Sequence, residues 1–204
     1  MAYSAVTKRR GIDSTATRQR VLDATEELIL EGGFAQATVA DLADRAGVSR
    51  ATVFSHFGSK FGILEALAVR CAGGPQMRAI RAALAIDDAD EVLPAIVGAS
   101  CEHWERQGHI LLTLKAVAEL EADANALVED QRRDQREGME RVVATLERGG
   151  RRGELSRSQL AAALHLVTSV ESFMELRRNA GLSLAATKRV VTAMAAGLFD
   201  LEPH

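Results

Sequence analysis

The sequence predicts an all-α protein with a small N-terminal helix-turn-helix domain followed by a larger helical domain. Apolar residues recur at helical spacing along nearly the whole chain, and no convincing alternation of apolar and polar residues indicates a strand. Hydrophobic residues make up 47% of the 204 residues but aromatic residues only 4%, so the core is mostly aliphatic and rich in alanine. That composition favours closely packed helices over a sheet. Capping and glycine signals divide the chain into about nine helices.

The helix-turn-helix prediction rests on the stretch from Thr38 to Lys60. Gly47 follows the first short helix, where a residue with positive φ lets the chain turn, and Ser49 can cap the second helix. Apolar or small side chains stand where the two helices must cross closely: Leu42, Ala43, Ala46, Val48 and Val53. This spacing is typical of a motif that lays its second helix in the DNA major groove. The alternative is an ordinary pair of antiparallel helices.

Other local signals predict the remaining helices. The first helix spans about 15–31 and ends at Gly32-Gly33, and a capping box at Thr38 and Asp41 opens the second. Ser59 caps a fourth helix that runs to about Cys71. The Gly73-Gly74-Pro75 stop is then the best boundary between domains. The predicted organisation is a flexible basic arm, a helix-turn-helix domain with its linking helix, and a larger domain, over 1–14, 15–72 and 73–204.

In the larger domain, the fifth helix begins at Pro75, where a missing N–H costs little. The acidic cluster 87–91 is interpreted as the cap of a sixth helix, since acidic side chains favour a helix N-terminus and a calcium loop's glycine and distal glutamate are absent. The remaining expected helices run from the cluster to Gly108, from His109 to Arg148 with or without a break near Asp123, from Ser156 to Asn179, and from Ser183 to Asp200.

Residues 16–67 resemble the N-terminal domain of the TetR/AcrR family of bacterial transcriptional regulators. The matching pieces are Arg18–Leu30, Gly32-Gly33-Phe34, Thr38–Ala43, Ala46–Ser49, Phe54, His56-Phe57 and Ser59-Lys60. The resemblance implies a homodimer that binds a palindromic operator in double-stranded DNA, most often as a repressor, and is released by a small-molecule effector. Phe54 departs from the family pattern, in which a tyrosine hydroxyl contacts phosphate.

The same resemblance assigns DNA contacts to eight residues: Thr38, Ser49, Arg50, Ala51, Thr52, Phe54, His56 and Lys60. Two roles remain open for Arg50. It can bond a guanine through O6 and N7, or it can contact a phosphate without reading sequence. His56 and Lys60 match phosphate-contacting positions of the family, and Thr38 and Ser49 can both cap a helix and donate to phosphate.

In relatives, the larger domain holds an effector pocket among its middle helices. Candidates here are Cys101, Trp104, Leu111, His165, Ser169 and Phe173, and for each of them plain core packing is the alternative. The last two predicted helices carry apolar stripes, and the antiparallel pair would meet its symmetry mate in the dimer. The dimerisation candidates are Leu164, Val167, Val191, Met194 and Leu198. Packing within the subunit is again the alternative.

Other classes of protein have little support in the sequence. No apolar run approaches the length of a membrane span and the N-terminus has no signal-peptide core, so a cytoplasmic protein with reduced cysteines is expected. An enzyme is not expected, because phosphate loops, nucleophile elbows and metal-spaced ligand pairs are missing. No metal or cofactor is expected, since Cys101 and His103 stand two apart on a helix without a third nearby ligand. A helical protein-interaction module is the competing interpretation.

Overall fold

The computed structural model describes the backbone over residues 3–119 and 122–199, and side chains over 14–119 and 125–199. Within these ranges the regular elements are all helical, in agreement with the predicted fold class. The chain divides into two compact units, Met1–Arg70 and Cys71–His204.

The first unit contains four helices: α1 Tyr3–Leu30, α2 Val39–Ala46, α3 Arg50–Phe57 and most of α4 Lys60–Ala72. Helix α1 begins well before the expected position, so its backbone includes residues 3–14 of the predicted arm. The core that holds these helices together is aliphatic, as expected from the composition, and includes Val21, Leu22, Leu42, Val53, Ile63, Leu64 and Leu67.

Short-range signals in the first unit act as predicted. The Thr38 hydroxyl accepts the Asp41 N–H at 3.2 Å, and an Asp41 carboxylate oxygen accepts the Thr38 N–H at 2.7 Å, which completes the capping box. Gly47 has φ 64°, a left-handed conformation that only glycine adopts without strain. The turn between α2 and α3 is therefore determined by residues within a few positions of it.

The second unit contains six helices: α5 Pro75–Ala83, α6 Val92–Ala118, α7 Ala122–Arg148, α8 Arg157–Val167, α9 Val170–Met174, which continues as a π-helix over Glu175–Asn179, and α10 Leu184–Ala196. Helix α6 packs against α5, α7, α9 and α10 and is the central element of this unit. The predicted caps at Ser156 and Ser183 are present. The expected end of the last helix at Asp200 lies outside the described residues.

Two predicted helix boundaries in the second unit are wrong. Helix α6 does not end at Gly108 but continues to Ala118, because this glycine is buried and lets Met174 and Val170 approach the helix. A Cβ at Gly108 would lie 2.5 Å from Met174 Cε. Asp123, near which a break was considered, lies within α7, and the two residues before α7, 120 and 121, lie outside the described residues.

The helix expected from Ser156 to Asn179 is also interrupted, after Val167. Ser169 accepts the N–H of Ser172 at 3.2 Å and so caps α9 as a new helix. The Thr168 carbonyl accepts the indole N–H of Trp104 at 2.8 Å. A partner from another helix therefore satisfies a backbone carbonyl at the interruption, which short-range sequence signals do not reveal.

Candidate nucleic-acid interface and ligand site

The second helix of the helix-turn-helix motif, α3, starts with a tightly capped turn. The Ser49 hydroxyl accepts the Thr52 N–H at 3.1 Å, and the Ser49 and Thr52 hydroxyl oxygens lie 2.8 Å apart. This cap leaves the side chains of Arg50 and Ala51 exposed on the first turn. An exposed first turn is the part of a recognition helix that reaches base edges in such motifs.

Arg50 and Phe54 form a pair on the exposed face of α3. The Arg50 guanidinium carbon lies 5.4 Å from the centroid of the Phe54 ring, within the range of a cation–π contact. Phe54 is 44% exposed. No ion pair to Arg50 is present within the described part of the chain. Helix α3 therefore presents an unneutralised charge stacked on an apolar ring.

Lys60 and His56 have contacts within the first unit. The Lys60 ammonium donates to the Ala35 carbonyl at 3.1 Å and lies 4.5 Å from the centroid of the Phe34 ring. His56 is half-buried, and its carbonyl accepts a guanidinium N–H of Arg18 at 3.0 Å. These contacts hold the Lys60 side chain at the start of α4 and the backbone of His56 near the end of α3.

Arg45, in contrast, is turned away from the recognition helix. Its guanidinium donates to the Glu31 carboxylate at 2.7 Å and also pairs with Glu27. The hydrogen bonds that Arg45 donates to the Glu31 carboxylate lower the pKa of Glu31 and raise the pKa of Arg45. The basic charge that the sequence places before the turn is thus neutralised by α1.

The six predicted ligand residues are not all brought together. Trp104 and Phe173 line a cavity of about 150 Å³ whose other walls are Glu105, Met174, Arg177 and Arg178. Cys101 and Leu111 are buried elsewhere along α6, and Ser169 serves as the cap of α9. Burial of Cys101 raises the pKa of its thiol to about 11.

His165 occupies a separate, half-buried position on α8. Burial is the main cause that lowers its pKa, followed by the nearby charge of Lys115, and Glu171 opposes this effect. Lys115 pairs with Glu171, and the charges of Arg132 and Arg136 also lower the pKa of His165. His165 is not among the residues that line the cavity described above.

Sequence reasoning missed two polar residues of α6, His103 and Gln107, as ligand candidates. Both have a buried polar atom without a hydrogen-bond partner, the His103 Nδ1 and the Gln107 Oε1. A lone histidine on an apolar helix face is more often a core residue than a ligand-binding residue. The sequence pattern suggested a role for His103 only as a metal ligand, together with Cys101. The spacing of four residues, which places the two on one helix face, was the available signal.

The predicted dimerisation residues fall into two groups. Leu164, Val167 and Val191 are buried in the core of the chain itself. Their burial favours the alternative of packing within the subunit, and their role in a dimer stays a prediction. Leu198 is half-buried, and Met194 is 50% exposed. The exposed apolar residue of α8 is instead Leu166, at 65%.

Two negative findings concern the described residues alone. None of their helices is both long and apolar enough to cross a lipid bilayer. They also contain no cluster of three or more His, Cys, Asp or Glu side chains suited to a metal ion.

Comparison with known proteins identifies the N-terminal domain. Residues 21–67 match the family model for bacterial regulatory proteins of the tetR family. Over 51 residues the chain is 41% identical to the uncharacterized HTH-type transcriptional regulator YvkB of Bacillus subtilis, a match that covers 25% of this chain and 27% of YvkB. Matches to several other curated regulators likewise span only about a quarter of their length.

Two further relatives are similar over most of their length. The HTH-type transcriptional repressor BepR of Brucella suis is 27% identical, with 82% of this chain and 83% of BepR covered. SmeT, the repressor of a multidrug efflux pump of Stenotrophomonas maltophilia, superposes with a TM-score of 0.68 at 21% identity, covering 92% of each chain. SmeT is also known in complex with triclosan. All three names are those of transcriptional regulators rather than enzymes.

Proposed function

Because this chain is a TetR-family protein by its N-terminal domain and its fold, we propose that it is a ligand-responsive, DNA-binding transcriptional regulator. It binds a palindromic operator as a homodimer, acts as a cytoplasmic repressor, and is released by a small-molecule effector. The observation that carries the proposal is the exposed face of α3, where Arg50 stands without a carboxylate partner beside the half-exposed Phe54.

The two exposed side chains of α3 suit different features of a base pair. A guanidinium can bond guanine O6 and N7 together, which is worth about 1–3 kcal/mol of discrimination against other bases. An exposed phenyl ring suits the 5-methyl group of thymine. Since Phe54 has no hydroxyl to donate to phosphate, we assign it to this apolar contact.

Phosphate contacts come from the residues around α3. The hydroxyls of Thr38, Ser49 and Thr52 lie at the N-termini of α2 and α3, where backbone N–H groups also favour an anion. Lys60 and His56 flank the other end of α3. These contacts fix the register of the helix and carry no sequence information.

Dimerisation is assigned to the outer faces of α8 and α10, where Leu166 and Met194 are exposed. Large apolar side chains exposed on neighbouring elements are a feature of interfaces. The effector site is assigned to the second unit, which contains the cavity beside Trp104 and Phe173. The complex of SmeT with triclosan is a precedent for a small-molecule ligand in a protein of similar fold.

The test compares Arg50→Ala with Lys60→Gln on a duplex selected from a random-sequence library. Loss of Arg50 should weaken binding and relax the preference at one operator position. Loss of Lys60 should weaken binding to all duplexes alike and lower the salt slope by about one unit for each contact removed.

Two outcomes would contradict the proposal. Equal, sequence-independent losses from both substitutions would remove Arg50 as a base reader. If no duplex is selected and any weak binding is independent of salt, the helix-turn-helix serves another purpose, such as contact with a protein partner.

A further inference from the structure

Helix α6 carries two buried polar atoms on one face that no group in the described part of the chain satisfies. These are Nδ1 of His103, a residue that is only 5% exposed, and Oε1 of Gln107. Residues four apart on a helix are neighbours on the same face. Buried side-chain polar atoms in native proteins nearly always have a partner. Two unpartnered atoms four residues apart on one helix face therefore indicate a place for a further hydrogen-bonding group.

The helix face around this pair is mostly apolar, and the Gln107 side-chain nitrogen reaches the start of α5 beside Gly74. Ile96, Ile110 and Leu114 lie along the same face as His103 and Gln107 at helical spacing, and all three are buried. The imidazole packs against the indole of Trp104, with ring centroids 4.5 Å apart. Burial lowers the pKa of His103 to about 4, so the imidazole is neutral near pH 7. A charged ligand group would find no counter-ion among these residues.

The hydrogen-bonding capacity of the pair selects one kind of ligand group. A glutamine carbonyl oxygen only accepts, while a neutral imidazole with its proton on Nδ1 donates there. A hydroxyl group can donate to Gln107 and accept from His103 at the same time. A carboxylate cannot donate to Gln107, and a hydrocarbon satisfies neither atom.

We propose that His103 and Gln107 bind the hydroxyl group of an uncharged effector whose remaining body is apolar, such as a phenol. The inference rests on the proposed function, because it names the chemical class of the molecule that releases the operator. It also adds two residues to the ligand site that were absent from the residues expected by family resemblance.

Trp104 makes the site measurable, because it is the only tryptophan of the chain and its ring contacts His103. Phenol, toluene and benzoate are titrated into the full-length protein while indole emission is recorded. Phenol is expected to change the emission and to bind about tenfold more tightly than toluene, and benzoate is expected not to bind. Equal binding of phenol and toluene would overturn the proposal, since a bound water would then satisfy the pair.

A substitution separates a binding role from a structural one. Gln107→Leu removes an unpartnered acceptor, so the unliganded protein should unfold at the same or a higher denaturant concentration, while the preference for phenol over toluene disappears. Gln135→Leu, at a half-buried position of α7, should leave the preference unchanged. A strongly destabilised Gln107→Leu protein would show that Gln107 is already partnered, and would overturn the proposal.

Operator binding is measured on the same samples so that the two ideas fail separately. One outcome is that the wild-type protein binds a selected duplex with steep salt dependence, while phenol does not bind the protein and does not release the duplex. The proposed hydroxyl site is then wrong, and the proposed function as a DNA-binding regulator is retained. If phenol binds with the expected preference and no duplex is ever selected, the ligand site stands and the proposed function is wrong.

Discussion

Gly62 offers the sharpest test of the packing of the first unit. It lies in the first turn of α4, and a Cβ added to it would be 2.0 Å from the carbonyl oxygen of Phe57, at the end of α3. Helix propensity alone would make Gly62→Ala stabilising by about 1 kcal/mol. Because the obstructing atom belongs to the backbone, however, it cannot rotate aside as a flexible side chain would.

The change in the free energy of unfolding follows from two opposing effects, the gain in helix propensity and the cost of the steric clash. Inserting a group into a closely packed site typically costs about 1–3 kcal/mol, and here a helix end must move as well. We therefore expect Gly62→Ala to lower the free energy of unfolding of the first unit by up to about 2 kcal/mol after the propensity gain of about 1 kcal/mol is subtracted.

Gly98→Ala is the matched control. Gly98 lies inside α6, where a Cβ added to it would have no neighbouring atom within 4 Å, so the propensity gain of about 1 kcal/mol should appear undiminished. Thermal unfolding of the full chain, followed by circular dichroism, should move in opposite directions for the two variants. A change of about 1 kcal/mol corresponds to roughly 4–8 °C in a domain as small as the first unit and to a smaller shift in the larger second unit. If Gly62→Ala also raises the melting temperature, the close approach of α4 to Phe57 is refuted.

Three further predictions follow from burial and exposure. The pKa of His103 falls from 6.5 in the unfolded chain to about 4 in the folded chain, so the unfolded chain binds more protons between these two pH values. The contribution of His103 to the free energy of unfolding should therefore be constant above pH 6.5 and fall by about 3 kcal/mol towards pH 4. Urea unfolding across this range should show a weaker pH dependence for His103→Leu than for the wild-type protein. Iodoacetamide at pH 8 should modify the half-buried Cys71 before Cys101, because Cys101 is buried and its thiol has a pKa of about 11. Mass spectrometry of the peptides checks the order, and earlier modification of Cys101 would contradict its burial. Leu166→Glu and Met194→Glu should each give a folded monomer by light scattering, because both side chains are exposed, whereas Val191→Glu should not fold, because Val191 is buried. If both exposed variants remain dimers, the outer faces of α8 and α10 are not the dimer interface.

The sequence by itself determined the features that depend on residues a few positions apart. The capping box of Thr38 and Asp41, the left-handed Gly47, the caps at Ser49 and Ser156 and the start of α5 at Pro75 all occur where they were predicted. Each involves a backbone conformation or a hydrogen bond within one helical turn, which a short segment specifies without the rest of the chain. The helix-turn-helix domain is assembled from such signals, and so its family could be identified from them.

Tertiary structure alone decided which helix face meets which neighbour. Helical periodicity showed that Leu164, Val191 and Met194 share apolar stripes, but only packing revealed that the first two are buried inside the chain and the third is exposed. Arg45 likewise carried a positive charge in the sequence and was then neutralised by Glu31 on another helix.

The same reason explains the two wrong boundaries and the missed site. A glycine such as Gly108 usually weakens a helix, yet here it allows the close approach of Val170 and Met174, which only the fold brings near. The interruption after Val167 exposes a carbonyl to Trp104, which is 64 residues away along the chain. That His103 Nδ1 and Gln107 Oε1 have no hydrogen-bond partner can be seen only in the tertiary structure. The sequence of one helix does not show which donors and acceptors the neighbouring helices place beside it.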